Sequence, residues 1–386
     1  MSRTHSARIN QCLFEKLEQR QLLSAANLPI EAIDASTDLK ISPQFTNTNP
    51  SGYTPAQIRS AYGITGDGAG QTIAIVDAYD DPSAASDLAK FSTQFGLPQM
   101  DGKNGNPTFT KIQPAGRTQT NAGWALETAL DIEWAHAVAP KANIVLVEAR
   151  SASLSYLLSA VDTAANRPGV VSVSMSWGAG EFSSEASYDS HFNKTGVVFL
   201  AASGDDGAPA IWPAVASNVV AVGGTTLTDN HDGTYSESAW SGSGGGISAY
   251  ESLPAYQSAL GYSNRAVPDV SYNADPNTGY PVYDSVSYLG QNGWFQVGGT
   301  SAASPQWAAI VALADQARNT NGRSDLGGTQ LLNWLYGAGA SADLTDITSG
   351  TTTGNPNYSA ASGFDLATGL GTPKVSLLVS DLAVLA

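Results

Sequence analysis

Two carboxylates four residues apart in an apolar stretch are the first place where this chain of 386 residues could do chemistry. They are Glu127 and Asp131 in WALETALDIEWAHAVAP, and at 3.6 residues per turn a helix puts both on one face. Like charges so placed repel by a few tenths of a kcal/mol when exposed and by more in a cleft, where sharing a proton relieves them. The bland account is a solvated acidic face. The apolar neighbours argue instead that at least one carboxylate lies inside, where a general base could work in acid. A second place is VGGTSAASPQWAAIVALADQA, a glycine-permitted turn running into a helix, with Ser301 beside the helix start and Pro305 expected in its first turn. An oxygen nucleophile there sits near the positive end of the helix dipole and near backbone N–H groups able to receive an oxyanion. Alternatively Thr300, Ser301 or Ser304 merely caps the helix.

Two further groups complete the inventory. The strand-like VVFLAAS ends in GDDG, where an Asx-turn accounts for at least one of Asp205 and Asp206. A carboxyl kept protonated at such a strand end could also donate a hydrogen bond to a developing oxyanion. Near the C-terminus, Asp346 in LTDITSG and Asp365 in SAASGFDLATGLGTP stand in loops rich in Gly, Ser and Thr. Two carboxylates with loop carbonyls suit a hard cation, calcium being the usual occupant of such oxygen cages.

Such groups need a rigid frame, and the periodicity supplies one. Strands are expected at Gln71–Asp77, Ala142–Val147, Val170–Met175 and Val197–Ala202, with helices at Pro82–Phe95, Gly123–Val138, Ser153–Asn166 and about Ser301–Arg318. Short apolar strands alternating with helices predict an α/β fold with a mainly parallel, doubly wound sheet covered on both faces. In such sheets functional groups gather at the carboxyl ends of strands. A formal charge of −16 and the lack of a basic cluster exclude nucleic acid as the main partner. No apolar run approaches the ~20 residues of a membrane helix. The single cysteine, Cys12, leaves a metal or a large core as the only possible staple. Residues 1–25 lack the apolar run of a secretory signal, yet FEKLEQRQLLSA resembles the Leu-Glu-Pro-Arg type of export tag, with Gln19 in the proline's place. Export to the cell surface or beyond is therefore expected. A helix with Ile9, Leu13 and Leu17 on one face is the alternative. Residues 26–52 read as a linker or residual propeptide, and 53–386 as one catalytic body.

The absences also matter. IAIVDAY, with Asp77, resembles the aspartate strand of a Ser-His-Asp peptidase. However, of the four histidines none follows a strand in a His-Gly turn, and His136 points about 140° away from the Glu127 and Asp131 face. There is no G-x-S-x-G elbow, no H-E-x-x-H and no Ser-x-x-Lys at Ser301.

From Tyr53 to the C-terminus the order ETALD, SMSWG, SGDDG, GGTSAASP and then DI, SGFD and ATGLGTP resembles the sedolisin family, the serine-carboxyl peptidases of subtilisin-like fold. WSGSGGGIS and RAVPDVSYNADPNTGY also resemble family sequence, without a role readable from chemistry. The resemblance implies that Ser301 is the nucleophile and Glu127 its base, with Asp131 behind it and Asp205 the protonated oxyanion donor. It implies one structural Ca2+ held by Asp346 and Asp365 and by backbone oxygens of Ile347, Ala361 and Gly363, Ala361 replacing a usual glycine. Trp177 and the SMSWG strand would line a cleft that pairs with peptide backbone. The substrates implied are peptides or unfolded proteins, cut internally or, as in some relatives, as N-terminal tripeptides; a non-catalytic binding protein is the competing class. A monomer is expected. Members usually carry a long prosegment ahead of the point where the match begins here, so restraint of activity is expected to come from neutral pH, which deprotonates Asp205.

Overall fold

The structure, a computed structural model, describes residues 30, 33–37, 40–41, 48–337 and 339–386; the helix proposed around Ile9, Leu13 and Leu17 lies outside them. The frame is an eight-stranded sheet. Its parallel strands are β1 (Thr72–Ala78), β2 (Phe109–Ile112), β3 (Asn143–Ala149), β4 (Val170–Met175), β5 (Val198–Ala202) and β6 (Val219–Asp229). The antiparallel β7 (Tyr235–Ala239) closes the order β7-β6-β5-β4-β1-β3-β2, and β8 (Val270–Asn273) pairs in parallel with β6. β1, β4 and β5 are buried at every residue, which is why their sequences read as continuous apolar runs and not as alternating ones.

Helix α1 (Ala84–Phe95) and the central α2 (Ala122–Val138) fall on one face with α4 (Thr300–Thr320), and α3 (Leu154–Ala165) on the other, each face with its own apolar cluster. Asn121 caps α2 by accepting from Gly123 N and Trp124 N. From Trp124 to Val138 every residue of α2 is buried, the mark of a helix surrounded by protein. The hairpin β9 (Tyr280–Tyr288) and β10 (Gln291–Gly298) packs on α2 and runs straight into α4. The expected elements stand within two residues of their predicted ends, with one informative shift. Gly299, at φ +112°, turns the chain so that α4 begins at Thr300, and Pro305 therefore falls in the second turn, not the first.

Parts of the segment read as a linker have pairing partners. Asp34 and Ser36 form antiparallel bridges with Ser153 and Gly178. Lys40–Ile41 pairs antiparallel with Gly298 and Val297 of β10.

Candidate active site

The site assembles where the N-terminus of α4 meets the middle of α2 and the carboxyl ends of β1, β4 and β5. Glu127 and Asp131 are both fully buried, so the solvated-face alternative fails for both. Removing two such charges from water costs several kcal/mol each, and burial accordingly pushes both carboxyls well above their usual range. For each, the nearby Asp77 adds to the rise. Neither Glu127 oxygen has a hydrogen bond of ordinary geometry, although the Ser301 hydroxyl and the Asp131 carboxyl both approach closely enough to bias its ionisation. Asp131 Oδ1 accepts from Ser176 Oγ at 2.9 Å.

Pro305 explains the position of Ser176. A proline inside a helix has no N–H for the carbonyl four residues back, and that carbonyl belongs to Ser301. The Ser176 hydroxyl reaches it at 3.1 Å. None of Thr300, Ser301 and Ser304 caps the helix, the N-cap being Gly299 without a side-chain bond. Ser304 pairs with Ser174 across to β4. Capping is therefore not the account of Ser301.

Asp205 follows β5 and is buried. Its Oδ1 accepts from Thr300 N at 2.7 Å and from Thr300 Oγ1 at 2.8 Å, bringing it beside the residue preceding Ser301. A side chain at Gly299 would overlap the same carboxyl, so glycine is needed there twice over, for its φ and for its lack of a Cβ. The neighbouring Asp206 is exposed. WSGSGGGIS also acquires a role: Gly244 N donates to Gly204 O at 2.7 Å, Ser203 Oγ donates to Gly244 O at 2.7 Å, and a Cβ on Gly244 would strike the Ser203 carbonyl. The glycine run is a backbone buttress for the loop that carries Asp205.

Sequence reasoning left Asp77 out of the site because no histidine accompanied it. It lies near the end of β1, fully buried, and its carboxyl is pushed up to about 8, by burial first and by Glu148 and Asp81 as well, against a lowering contact from Thr128. Asp77, Glu127 and Asp131 thus form one acid cluster. Position at a strand's carboxyl end was the signal that could have found it. His136, on the same helix, gives its Nε2 to Pro98 O at 2.9 Å, and burial pushes it down to about 4; it serves packing. Trp177 anchors the SMSWG strand through Nε1, which donates to Val76 O at 2.9 Å.

In the C-terminal loops the two predicted carboxylates accept from backbone N–H groups of the neighbouring loop residues. Gly363 N donates to Asp346 Oδ2 at 3.0 Å and Ala361 N to Asp365 Oδ2 at 2.8 Å, while Asp365 Oδ1 accepts from Ala367 N and Thr368 N. Among the described residues no group of three or more His, Cys, Asp or Glu is placed to hold a metal ion.

A buried serine opening a helix over a parallel sheet, beside buried carboxyls, fits the subtilisin-like class, and a model of the Subtilase family matches residues 117–351. Kumamolisin of Bacillus sp. strain MN-32 is 30% identical over 84% of this chain and 62% of that protein. A tripeptidyl-peptidase of Aspergillus fumigatus is 33% identical over 44% of this chain and 33% of that one. The solved structure of a Pseudomonas sedolisin, a serine-carboxyl proteinase complexed with pseudo-iodotyrostatin, superposes with a TM-score of 0.73 at 25% identity, covering 86% of this chain and 98% of that chain. The chain belongs to the sedolisin family of subtilases, and it spans about three fifths of the length of the kumamolisin it matches.

Proposed function

We propose that the protein is a serine-carboxyl endopeptidase that is exported and works in acid. The observation that carries this reading is the convergence of Ser301, Glu127, Asp131 and Asp205 in one buried locus without a histidine. Ser301 Oγ attacks the scissile carbonyl carbon while Glu127 takes its proton. Asp131, fixed by Ser176, accepts part of that charge from behind. A proton on Asp205 sits on Oδ2, since Oδ1 is held by two Thr300 donors, and it would donate to the oxyanion. Glu127 then returns its proton to the leaving amine, and water repeats the sequence on the acyl-enzyme. An unperturbed carboxylate keeps an ionised fraction in acid, where an imidazole would be fully protonated; burial of Glu127 and Asp131 opposes that ionisation, so the two work as a couple sharing a proton and a single charge. Base and oxyanion donor need opposite protonation states, so the rate profile is bell-shaped. Cleavage of an unfolded protein between pH 2 and 8 tests this. Activity confined to acid and lost in Ser301→Ala and Glu127→Gln is the expected result, and activity that persists in either variant refutes it.

Removal of N-terminal tripeptides is the alternative mode, and digestion of a protein with a blocked N-terminus tells the two apart. The oxygen-only donor set of the C-terminal loops fits a calcium ion. Asp346 and Asp365, with backbone oxygens of Ile347, Ala361 and Gly363, would hold it, and it would cross-link the two loops without entering the chemistry. Chelation is then expected to lower the melting temperature of the wild type and to leave Asp365→Ala unmoved.

A further inference from the structure

The hairpin that runs into Ser301 is held to the helices by carboxyl groups that the proposed chemistry does not use. Three amides along β9 each meet one. Glu133 Oε2, on α2 two residues beyond Asp131, accepts from Tyr283 N at 3.0 Å. Asp87 Oδ2, on α1, accepts from Ser285 N at 2.8 Å and from Ser285 Oγ at 2.9 Å. Asp284 Oδ1 folds back on its own strand and accepts from Val286 N at 2.7 Å. Asp81, in the loop between β1 and α1, is the fourth member, and its Oδ1 accepts from Ser83 N and Ser83 Oγ, each at 2.9 Å. All four are buried, and they come from a loop, two helices and a strand. Their second oxygens are the anomaly: Asp81 Oδ2, Glu133 Oε1 and Asp284 Oδ2 accept no hydrogen bond. The cations beside them are engaged elsewhere. Lys111 Nζ, whose charge reaches Asp81, binds Asp80, Glu148 and the Asp81 carbonyl, and Lys90 Nζ lies 6.0 Å over the Tyr283 ring. Glu148, on β3, accepts from Asp81 N at 2.8 Å and adds a further carboxyl behind that loop.

Burial first, and then repulsion within the group, pushes the Glu133 carboxyl well above its usual range, Asp284 up to about 8 and Asp81 up to about 6. The amide bonds pull the other way, because an N–H favours the carboxylate over the acid. The net rise shows which effect wins. Charge is therefore what this packing resists, and a proton on an orphaned oxygen removes a charge and supplies an O–H donor at once.

We propose that Asp81, Asp87, Glu133 and Asp284 form a proton-dependent clamp that positions β9 and β10, and with them Ser301, against α2, and that the hairpin loosens as the protons leave. The sign follows from linkage. Groups that stand above a free carboxyl when folded lend full stability below about pH 4. That stability is lost as pH rises past about 6 for Asp81 and about 8 for Asp284. Trp134 Nε1, which donates to Pro281 O at 3.0 Å, does not titrate and keeps the first residues of β9 on α2, so loosening begins at Tyr283 and beyond. β10 leads through Gly299 to Thr300, whose N–H reaches Asp205, so a shift of the hairpin is felt at nucleophile and oxyanion donor alike. The clamp is thus a restraint at neutral pH distinct from ionisation of Asp205. Only this last step, from hairpin to chemistry, rests on the catalytic reading given above.

Amide hydrogen exchange of the full chain carrying Ser301→Ala, so that no self-digestion intervenes, tests the clamp without calling on catalysis. Between pH 4.5 and 7.5, after correction for intrinsic rates, protection of residues 283–286 should fall at least about tenfold further than that of β4. Asp284→Asn and Glu133→Gln each keep an acceptor for the same amide and remove the charge. Either is expected to cut that excess fall to about threefold or less, a flattening of the pH profile that a merely structural carboxyl would not produce. The two substitutions lie on different elements, so one that fails to fold leaves the other to decide. Protection of residues 283–286 that holds across the range, that falls only in step with β4, or that falls as steeply in the folded variants overturns the proposal. Loss of protection in a protein whose wild type cleaves nothing upholds the clamp and sinks the catalytic reading. Acid cleavage by the wild type, with these amides protected at every pH, does the reverse.

Discussion

Asp131 and Asp269 are both fully buried aspartates within one protein, and their surroundings are opposite. Asp269 is saturated: Arg265 bonds both of its oxygens at 2.8 and 2.6 Å, Tyr336 Oη donates at 2.6 Å and Ala221 N at 2.8 Å. Four donors, two of them from the Arg265 guanidinium, give it one task, tying RAVPDV to β6. Asp131 has one hydroxyl donor and two carboxyl neighbours, Asp77 and Glu127. Burial and these carboxyl neighbours disfavour its charged form. Burial alone therefore does not mark a reactive carboxyl. What separates Asp131 from an ion pair of equal depth is its deficit of donors together with its two carboxyl neighbours.

The largest expected break in this contrast is chemical. Glu127→Gln and Ser301→Ala should each lower kcat by on the order of 10⁴-fold or more, with melting temperatures close to the wild type by calorimetry. Asp269→Ala should do the reverse. Stranding Arg265 in the core costs about 3–5 kcal/mol of folding stability, read by denaturant titration, while kcat per folded molecule is preserved. A fall in kcat with stability intact would mean that the saturated aspartate is not merely structural. Asp205→Asn, measured by steady-state kinetics at the acid optimum, is expected to cost about 10²–10³ in kcat and little in stability.

The smallest effect concerns pH. Asp77 stands at about 8 when folded against a free aspartate near 4, so between those values the folded state binds more protons than the unfolded one. Stability from this group is full below about pH 4 and is lost as pH rises toward 8. Glu127 and Asp131, raised by the same burial, act in the same direction. The melting temperature should thus decline from pH 4 to pH 8, and Asp77→Asn should flatten the decline. A profile unchanged by that substitution would remove Asp77 from the acid cluster.

What the sequence displayed depended on the distance over which each signal is written. The strands β1, β4 and β5, the helices α2 and α4 and the pairing of Glu127 with Asp131 follow from period and spacing within one segment, and they were legible to within two residues. Burial of both carboxylates was only half legible, because the neighbours of α2 come from α4 and from the β9–β10 hairpin, far away in sequence. Asp77 was visible as a strand end and was set aside for want of a histidine. The glycines around Gly244 have no local period; their reason is the backbone of Ser203 and Gly204, which only the folded chain brings to them. The bridges made by Asp34 and Ser36 were not legible at all, because so short a stretch carries too little alternation to stand out from a loop.

The proline in α4 has a mechanical consequence. By deleting one rung of the helix it hands the Ser301 carbonyl to a side chain of another element, and that side chain is the one that also holds Asp131. Nucleophile and acid network are thus referenced to a single hydroxyl on β4's extension, so a change at Ser176 is felt by both at once.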